Sequence, residues 1–242
     1  MPQASSRPAL VVAVDGPSGS GKSTTARAVA RRLGYRYVDT GSMYRAITRW
    51  LLDRGVDVTD AETVARLVCD PATAPVVDVT TDPDRPGVVV DGVDVTAHIR
   101  DADVTGSVSA VSAVPEVRAR LVQIQRDIAR AGGVVLEGRD IGTTVVPEAP
   151  VKVFLTADPM VRAARRSAEL PGVSVESADA IAATRADLAR RDHLDSSRTV
   201  SPLSQADDAV VIDSTGLSVD QVADQVLTLV AAHLRRLGAD TT

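Results

Sequence analysis

Residues 9–34, ALVVAVDGPSGSGKSTTARAVARRLG, restrict the fold more than any other part of the chain. Residues 10–14 form a short apolar run rich in valine, which reads as a strand buried on both faces. Gly16-Pro17-Ser18-Gly19-Ser20-Gly21-Lys22-Ser23 follows at once and meets the pattern G-x-x-x-x-G-K-[ST] without a mismatch. Ala26, Val29, Ala30 and Leu33 then recur at helical spacing, and Gly34 offers a stop. A strand, a glycine loop and a helix in this order make a cradle for phosphate. The glycines allow unusual dihedrals and close approach, so that backbone amides converge on phosphate oxygens. The helix start adds its free amides and the positive end of its dipole. Lys22 brings a movable charge for the β- and γ-phosphates, and the Ser23 hydroxyl is placed for Mg²⁺.

Apolar runs recur along the chain. YRYVDTG reads as a second strand and SMYRAITRWLLDRG as a second helix, while GGVVLEGRD, APVKVFLTAD and DAVVIDST supply three more strands. Strands alternating with helices predict an α/β fold, a parallel sheet of the P-loop NTPase type flanked by helices, with ligands at the carboxyl ends of the strands. Residues 71–112 break the rhythm. They show little helical period but hold alternating valine runs on either side of Asp91-Gly92, which predicts a small antiparallel β insert. The expected organisation is a core of residues 9–70 and 113–238, an insert of 71–112, and a helical lid of 158–198 within the core. SVDQVADQVLTLVAAHLRRLG is expected to close the chain as an amphipathic helix on the sheet, with mobile ends at MPQASSRP and GADTT.

Composition removes several function classes. Aromatic residues make up 2% of the chain, so the core must be aliphatic, with Trp50 and Phe154 as isolated large fillers, and no base-stacking platform is available. A formal net charge of -5 gives no overall attraction to a nucleic-acid polymer, although local arginine clusters can still hold single phosphates. One thiol, Cys69, excludes an internal disulfide and is expected to be buried. No leader or membrane-length segment is evident, which predicts a cytoplasmic monomer with no membrane partner.

A phosphate cradle serves a kinase, a nucleotide switch, a motor or a sensor equally well. A second anion site separates them. VDTGSMYR puts Thr40 and Gly41 at a strand end, Ser42 where it could cap the next helix, and Arg45 one turn in. LEGRDIGT puts Arg139 and Asp140 just beyond a buried strand, where Asp140 either reads a ligand or pairs with Arg139. Glu137 either holds a magnesium-bound water or serves as a capping carboxylate. Arg162, Arg165 and Arg166 share one predicted helix; Arg185, Arg190, Arg191, Asp195 and Arg198 lie on or just beyond another. Arg191, Asp195 and Arg198 fall at i, i+4 and i+7 and so share a face. Several guanidiniums on a hinged flap suit phosphoryl transfer, which spreads charge over equatorial oxygens. His98, His193 and His233 are scattered without metal-ligand spacing.

As a set, DGPSGSGKS, DTGSMYR, EGRDIGT, RRDHLDSSR followed by VSPL, and DAVVIDSTGLS resemble the bacterial cytidylate kinases, a family of nucleoside monophosphate kinases, over residues 10–237. The resemblance implies ATP-dependent phosphorylation of CMP and dCMP with Mg²⁺, and a monophosphate-binding role for the insert. It implies that residues 16–23, with Thr24, hold ATP, and that Arg45, Arg139, Arg191 and Arg198 surround the phosphates. Lys22, Arg139, Arg191 and Arg198 would then be catalytic. Ser109, Arg118 and Asp140 would read the cytosine, and Asp195 would contact the ribose. Thr40 stands where relatives often have Ser, with the hydroxyl kept; Ser23 and Glu137 stand where some relatives have Gly and Asp. The competing readings are a kinase for another small acceptor, such as UMP or shikimate, and an ATP sensor without turnover.

Overall fold

The computed structural model describes residues 9–168 and 178–239. β1 (Val11–Asp15) leads through the glycine loop into α1 (Lys22–Leu33), and β2 (Arg36–Asp39) runs straight into α2 (Thr40–Leu52). α3 (Ala61–Cys69) precedes three short strands, β3 (Val77–Val79), β4 (Val88–Val90) and β5 (Val93–Asp94). Next come α4 (Ala102–Ala113), α5 (Pro115–Arg130), β6 (Val134–Glu137), a π-helical turn at Ile141–Val145, and β7 (Val151–Thr156). α6 (Pro159–Ala168), α7 (Ala178–Ser196), β8 (Val210–Asp213) and α8 (Val219–Ala239) follow. Of the two expected mobile ends, residues 1–8 and 240–242 lie outside the described residues, as does 169–177 of the expected lid.

Five strands form the predicted parallel sheet in the order β2-β6-β1-β7-β8. Val14 and Asp39 both lie opposite Glu137, and Asp15 opposite Phe154, so four strands bring their carboxyl ends to one edge. α1 and α8 cover one face through Ala26, Val29, Ala30, Val222, Ala223 and Val226. α5 covers the other through Val122 and Ala129, against Leu136 and Ile141.

β3, β4 and β5 form the predicted antiparallel sheet, turning at Asp91-Gly92. It has no separate core. Val77, Val88 and Val90 share one cluster with Met43, Ile47, Trp50 and Leu51 of α2 and with Leu121 of α5. Full burial of a side chain such as Leu51 or Leu121 contributes about 1.5–3 kcal/mol, so the insert and α2 stabilise each other. Trp50 links them directly: Nε1 donates to Asp91 Oδ2 at 2.8 Å, and the Arg54 guanidinium lies 4.0 Å from the ring centroid.

Several expectations need correction. Part of the supposedly unhelical stretch is α4, which buries Val104, Val108, Val111 and Ser112. Its sequence, ADVTGSVSAVSA, hides it, because serine, glycine and β-branched residues weaken both propensity and amphipathic pattern. The cap of α2 is Asp39, whose Oδ1 accepts Ser42 N–H at 3.1 Å; the Ser42 hydroxyl donates to Asp39 O. Cys69 is exposed at the end of α3, and Phe154 is half-buried.

Candidate active site

The glycine loop closes tightly on its surroundings. A Cβ at Gly16, where φ is +144°, would fall 2.0 Å from Leu155 O, and one at Gly19, where φ is +75°, would fall 2.8 Å from Arg162 O. These residues must lack side chains for the loop to lie against β7 and α6 at once. Gly21 precedes α1 without a side-chain cap, which leaves the first amides of the helix free of a side-chain acceptor. Lys22 folds back so that Nζ donates to Pro17 O at 2.7 Å. Burial, with Arg139 nearby, pushes the Lys22 ammonium well below its ordinary pKa.

Glu137, at the end of β6, is buried beside this loop. Tyr37 Oη donates to its carboxylate, and the Ser23 hydroxyl also favours the ionised form. Burial raises its pKa, and Asp39 adds to the rise. Thr40 Oγ1 donates to Glu137 O at 2.7 Å, tying the start of α2 to β6. Among the described residues, no group of three or more His, Cys, Asp or Glu side chains could hold a metal.

A cleft of about 1090 Å³, partly open to solvent, runs from the loop to α4. Eight cationic side chains and four carboxylates line it, a local excess of positive charge in an acidic chain. Arg45 is buried on α2 and donates to Ile99 O at 3.1 Å and Thr105 Oγ1 at 3.0 Å; burial, with Arg191 and Arg100 beside it, lowers its pKa to about 9. Arg191 is buried, and its Nε has no acceptor among the described residues. Arg198 donates to Ser112 Oγ at 3.3 Å and leaves Nη2 without an acceptor. Clustered, desolvated guanidiniums of this kind suit a phosphate.

The deeper end holds a different pair. Arg118 Nη2 lies 2.5 Å from Asp140 Oδ2, with both side chains buried, and Arg118 Nη1 donates to Ser112 O at 3.3 Å. Asp140 therefore pairs with Arg118 and leaves Arg139 to others. Arg139 donates through Nε to Asp195 Oδ2 at 2.9 Å, through Nη1 to Gly16 O at 2.9 Å and through Nη2 to Ser18 Oγ at 2.5 Å. Asp195 also lies 3.7 Å from Arg198, so its carboxylate serves two guanidiniums.

Most of the predicted residues share this cleft: Ser18, Gly19, Gly21, Lys22, Ser23, Thr24, Thr40, Arg45, Ser109, Arg118, Glu137, Arg139, Asp140, Arg191, Asp195 and Arg198 line it. Gly16, Pro17 and Ser20 are not among the lining residues. The arginines of the expected lid divide. Arg166, Arg191 and Arg198 line the cleft, whereas Arg162 pairs with Asp192, Arg165 donates to Ser214, Arg185 reaches Met160 and Arg190 pairs with Asp187. Sequence reading missed Tyr44 and Arg100 in the lining, although Tyr44 stands at i+4 from Thr40, which offered a clue. It also missed Asp192, which accepts Ser18 N–H at 3.1 Å and docks α7 on the glycine loop.

The family profile described as cytidylate kinase matches residues 12–232. Cytidylate kinases of Streptomyces avermitilis and Streptomyces coelicolor are 53% and 54% identical over 225 residues, covering 92% of this chain and 93% of each relative. That of Rhodococcus opacus is 49% identical over 223 residues, covering 92% of this chain and 95% of the relative. A gluconokinase structure from Sinorhizobium meliloti superposes with a TM-score of 0.51 at 15% identity, covering 98% of this chain and 99% of that one, which speaks for the fold alone. With a glycine loop and a cluster of arginines in one cleft, and this similarity along nearly its whole length, the chain belongs to the cytidylate kinase family.

Proposed function

We propose that the chain is a nucleoside monophosphate kinase that transfers the γ-phosphoryl group of ATP to CMP and dCMP, giving ADP with CDP or dCDP. The observation that carries this reading is one cleft with three parts: a glycine loop, a cluster of desolvated guanidiniums, and a buried donor and acceptor pair, Arg118 and Asp140. In this reading residues 71–112 form the acceptor-binding insert and 158–198 the closing segment on a core of 9–70 and 113–238.

Lys22 and the loop amides hold the donor phosphates. Arg45, Arg191 and Arg198 receive the acceptor phosphate, whose oxygens would satisfy the unpaired Nε of Arg191 and Nη2 of Arg198. Arg139, fixed against Gly16 and Asp195, stands between the two groups and offsets charge as it spreads onto the transferred phosphoryl oxygens. Arg118 can only donate and ionised Asp140 can only accept, which suits the acceptors and the exocyclic amine of cytosine. Ser109 adds a hydroxyl nearby, and Thr40 fixes the floor of the pocket. Asp195 faces the cleft where a ribose hydroxyl could donate to it. No protein nucleophile is required, because the acceptor phosphate itself attacks.

The oxygen donors at the loop fit Mg²⁺. The Ser23 hydroxyl would hold it directly and Glu137 through water, and the lack, among the described residues, of a cluster of three ligating side chains fits an ion that keeps waters and substrate oxygens. When bound, the ion would neutralise charge on the donor phosphates. The same reading takes the chain as a monomer acting on free nucleotides in the cytoplasm; no helix among the described residues is long and apolar enough to cross a membrane.

A coupled assay of ADP release with CMP, dCMP, UMP, AMP and shikimate tests the proposal. CMP and dCMP should be the fastest acceptors. Preference for UMP or shikimate, or ATP binding without turnover on any of them, would overturn it.

A further inference from the structure

Asp15 ends β1 one residue before the glycine loop, and none of the roles above uses its side chain. The residue is 5% exposed, and its carboxylate is divided between two amides distant in sequence. Oδ1 accepts Ile141 N–H at 2.8 Å, and Oδ2 accepts Gly142 N–H at 2.7 Å. Those amides open the π-helical turn at Ile141–Val145. A helical turn needs acceptors for its first N–H groups, commonly a side chain at its own N-cap. Asp140 occupies that position but caps nothing, since its carboxylate is engaged by Arg118. Asp15 supplies the missing acceptors from the neighbouring strand.

The turn follows directly on Arg139 and Asp140. The next residue after Asp15 holds the other side of this dipeptide, because Gly16 O accepts Arg139 Nη1 at 2.9 Å. Asp15 and Gly16, consecutive at the junction of β1 and the loop, thus hold this segment at two points: Asp15 by its carboxylate on the two amides that follow Asp140, and Gly16 by its carbonyl on Arg139. We infer that Asp15 is a positioning residue, which sets Arg139 and Asp140 against the glycine loop and so fixes the acceptor relative to the donor. The inference rests on the roles proposed above for Arg139 and Asp140.

Asp15→Asn tests it. Asparagine keeps the shape but has one acceptor oxygen, and its NH₂ would face an amide N–H, donor against donor. The variant should bind ATP within about twofold of the wild type but show an about tenfold higher KM for CMP and a similar fall in the CMP over UMP ratio of kcat/KM, the scale of one lost hydrogen bond to a charged group. An unchanged KM and ratio, or an equal loss for ATP and CMP, would overturn the inference, the second by making Asp15 part of the general scaffold. Hydrogen exchange in the wild type covers a variant that does not fold: the Ile141 and Gly142 amides should be among the slow exchangers, and fast exchange there would overturn the inference on its own. Absence of CMP turnover in the wild type would remove the proposed function and this inference together. Normal wild-type turnover with a silent Asp15→Asn removes Asp15 alone.

Discussion

Asp192 of α7 joins the glycine loop to α6: one oxygen accepts the Ser18 amide at 3.1 Å, and the other pairs with Arg162. A carboxylate from α7 thus rests on an amide of the phosphate loop, and α6 is bound into the same contact, since Arg162 Nη1 donates to Ser18 O at 3.1 Å. Removing it deprives the nearly buried Arg162 guanidinium of its counter-charge and the Ser18 amide of its acceptor, at a cost of roughly 1–3 kcal/mol. Asp192→Ala should therefore speed hydrogen exchange in α7 of the ligand-free protein by about tenfold or more. Unaltered exchange would show that α7 is held by other contacts. ATP analogue and CMP together should slow exchange in α6 and α7 of the wild type.

Lys22→Ala should keep the fold and lower turnover by about two orders of magnitude or more, because its charge acts mainly on the transition state. Burial of the ammonium costs stability in the wild type, so the melting temperature should hold or rise. Near-normal turnover in a stably folded variant would remove Lys22 from the chemistry.

Asp140→Ala should reduce the CMP over UMP preference in kcat/KM by about ten- to a hundredfold, since each unpaired polar group on the base costs about 1–3 kcal/mol. The substitution also strands Arg118, with a stability loss of about 3–5 kcal/mol expected for a broken buried pair. Rates for CMP and UMP that fall together, with their ratio intact, would deny Asp140 a part in base choice.

Asp15 should also shape the pH dependence of stability. Burial raises its pKa from 3.8 to about 6, against the two amides that favour its charge. Between these values the folded state holds a proton that the unfolded state has released. Stability from this group is complete below pH 4 and is lost as pH rises through 6, by about 3 kcal/mol. Exposed carboxylates with lowered values, such as Asp57 and Asp213, act in the opposite sense near pH 4, and buried Glu137, raised to about 7, acts in the same sense as Asp15, so the difference between wild type and Asp15→Asn isolates this group. Denaturant melts from pH 4 to 6.5 should show the decline, and Asp15→Asn should reduce it; equal slopes would refute the assignment.

Gly16→Ala should destabilise the protein by about 2–5 kcal/mol, the combined scale of backbone strain and overpacking. The added methyl would meet Leu155 O, a backbone atom of the adjacent strand that cannot move aside. Thermal melts would detect the effect, and a native melting temperature would contradict it.

Local rules made much of this protein legible. The loop of residues 16–23, the parallel strands and the Asp91-Gly92 turn follow from spacing and residue type, because each leaves its mark in a few neighbouring residues even where its partners are distant. α4 escaped because it is held by α2, α5 and α7 rather than by a clear apolar stripe of its own. Asp192 and Asp15 escaped for a related reason. Their partners lie 174 and 126 residues away in sequence, and no local pattern marks a carboxylate whose acceptor role is completed by a distant backbone amide. The lid arginines show the same limit. Helical spacing grouped them, but the carboxylates and carbonyls that draw Arg162 and Arg165 away are set by the fold.

Trp50, held by Asp91 and overlaid by Arg54, is the one tryptophan of the chain and lies at the seam between the insert and α2. Its indole is therefore a native optical reporter for that seam. Near-ultraviolet excitation reads the contact between the antiparallel insert and α2 without a label, and emission should shift to the red if the insert lifts and water reaches the ring.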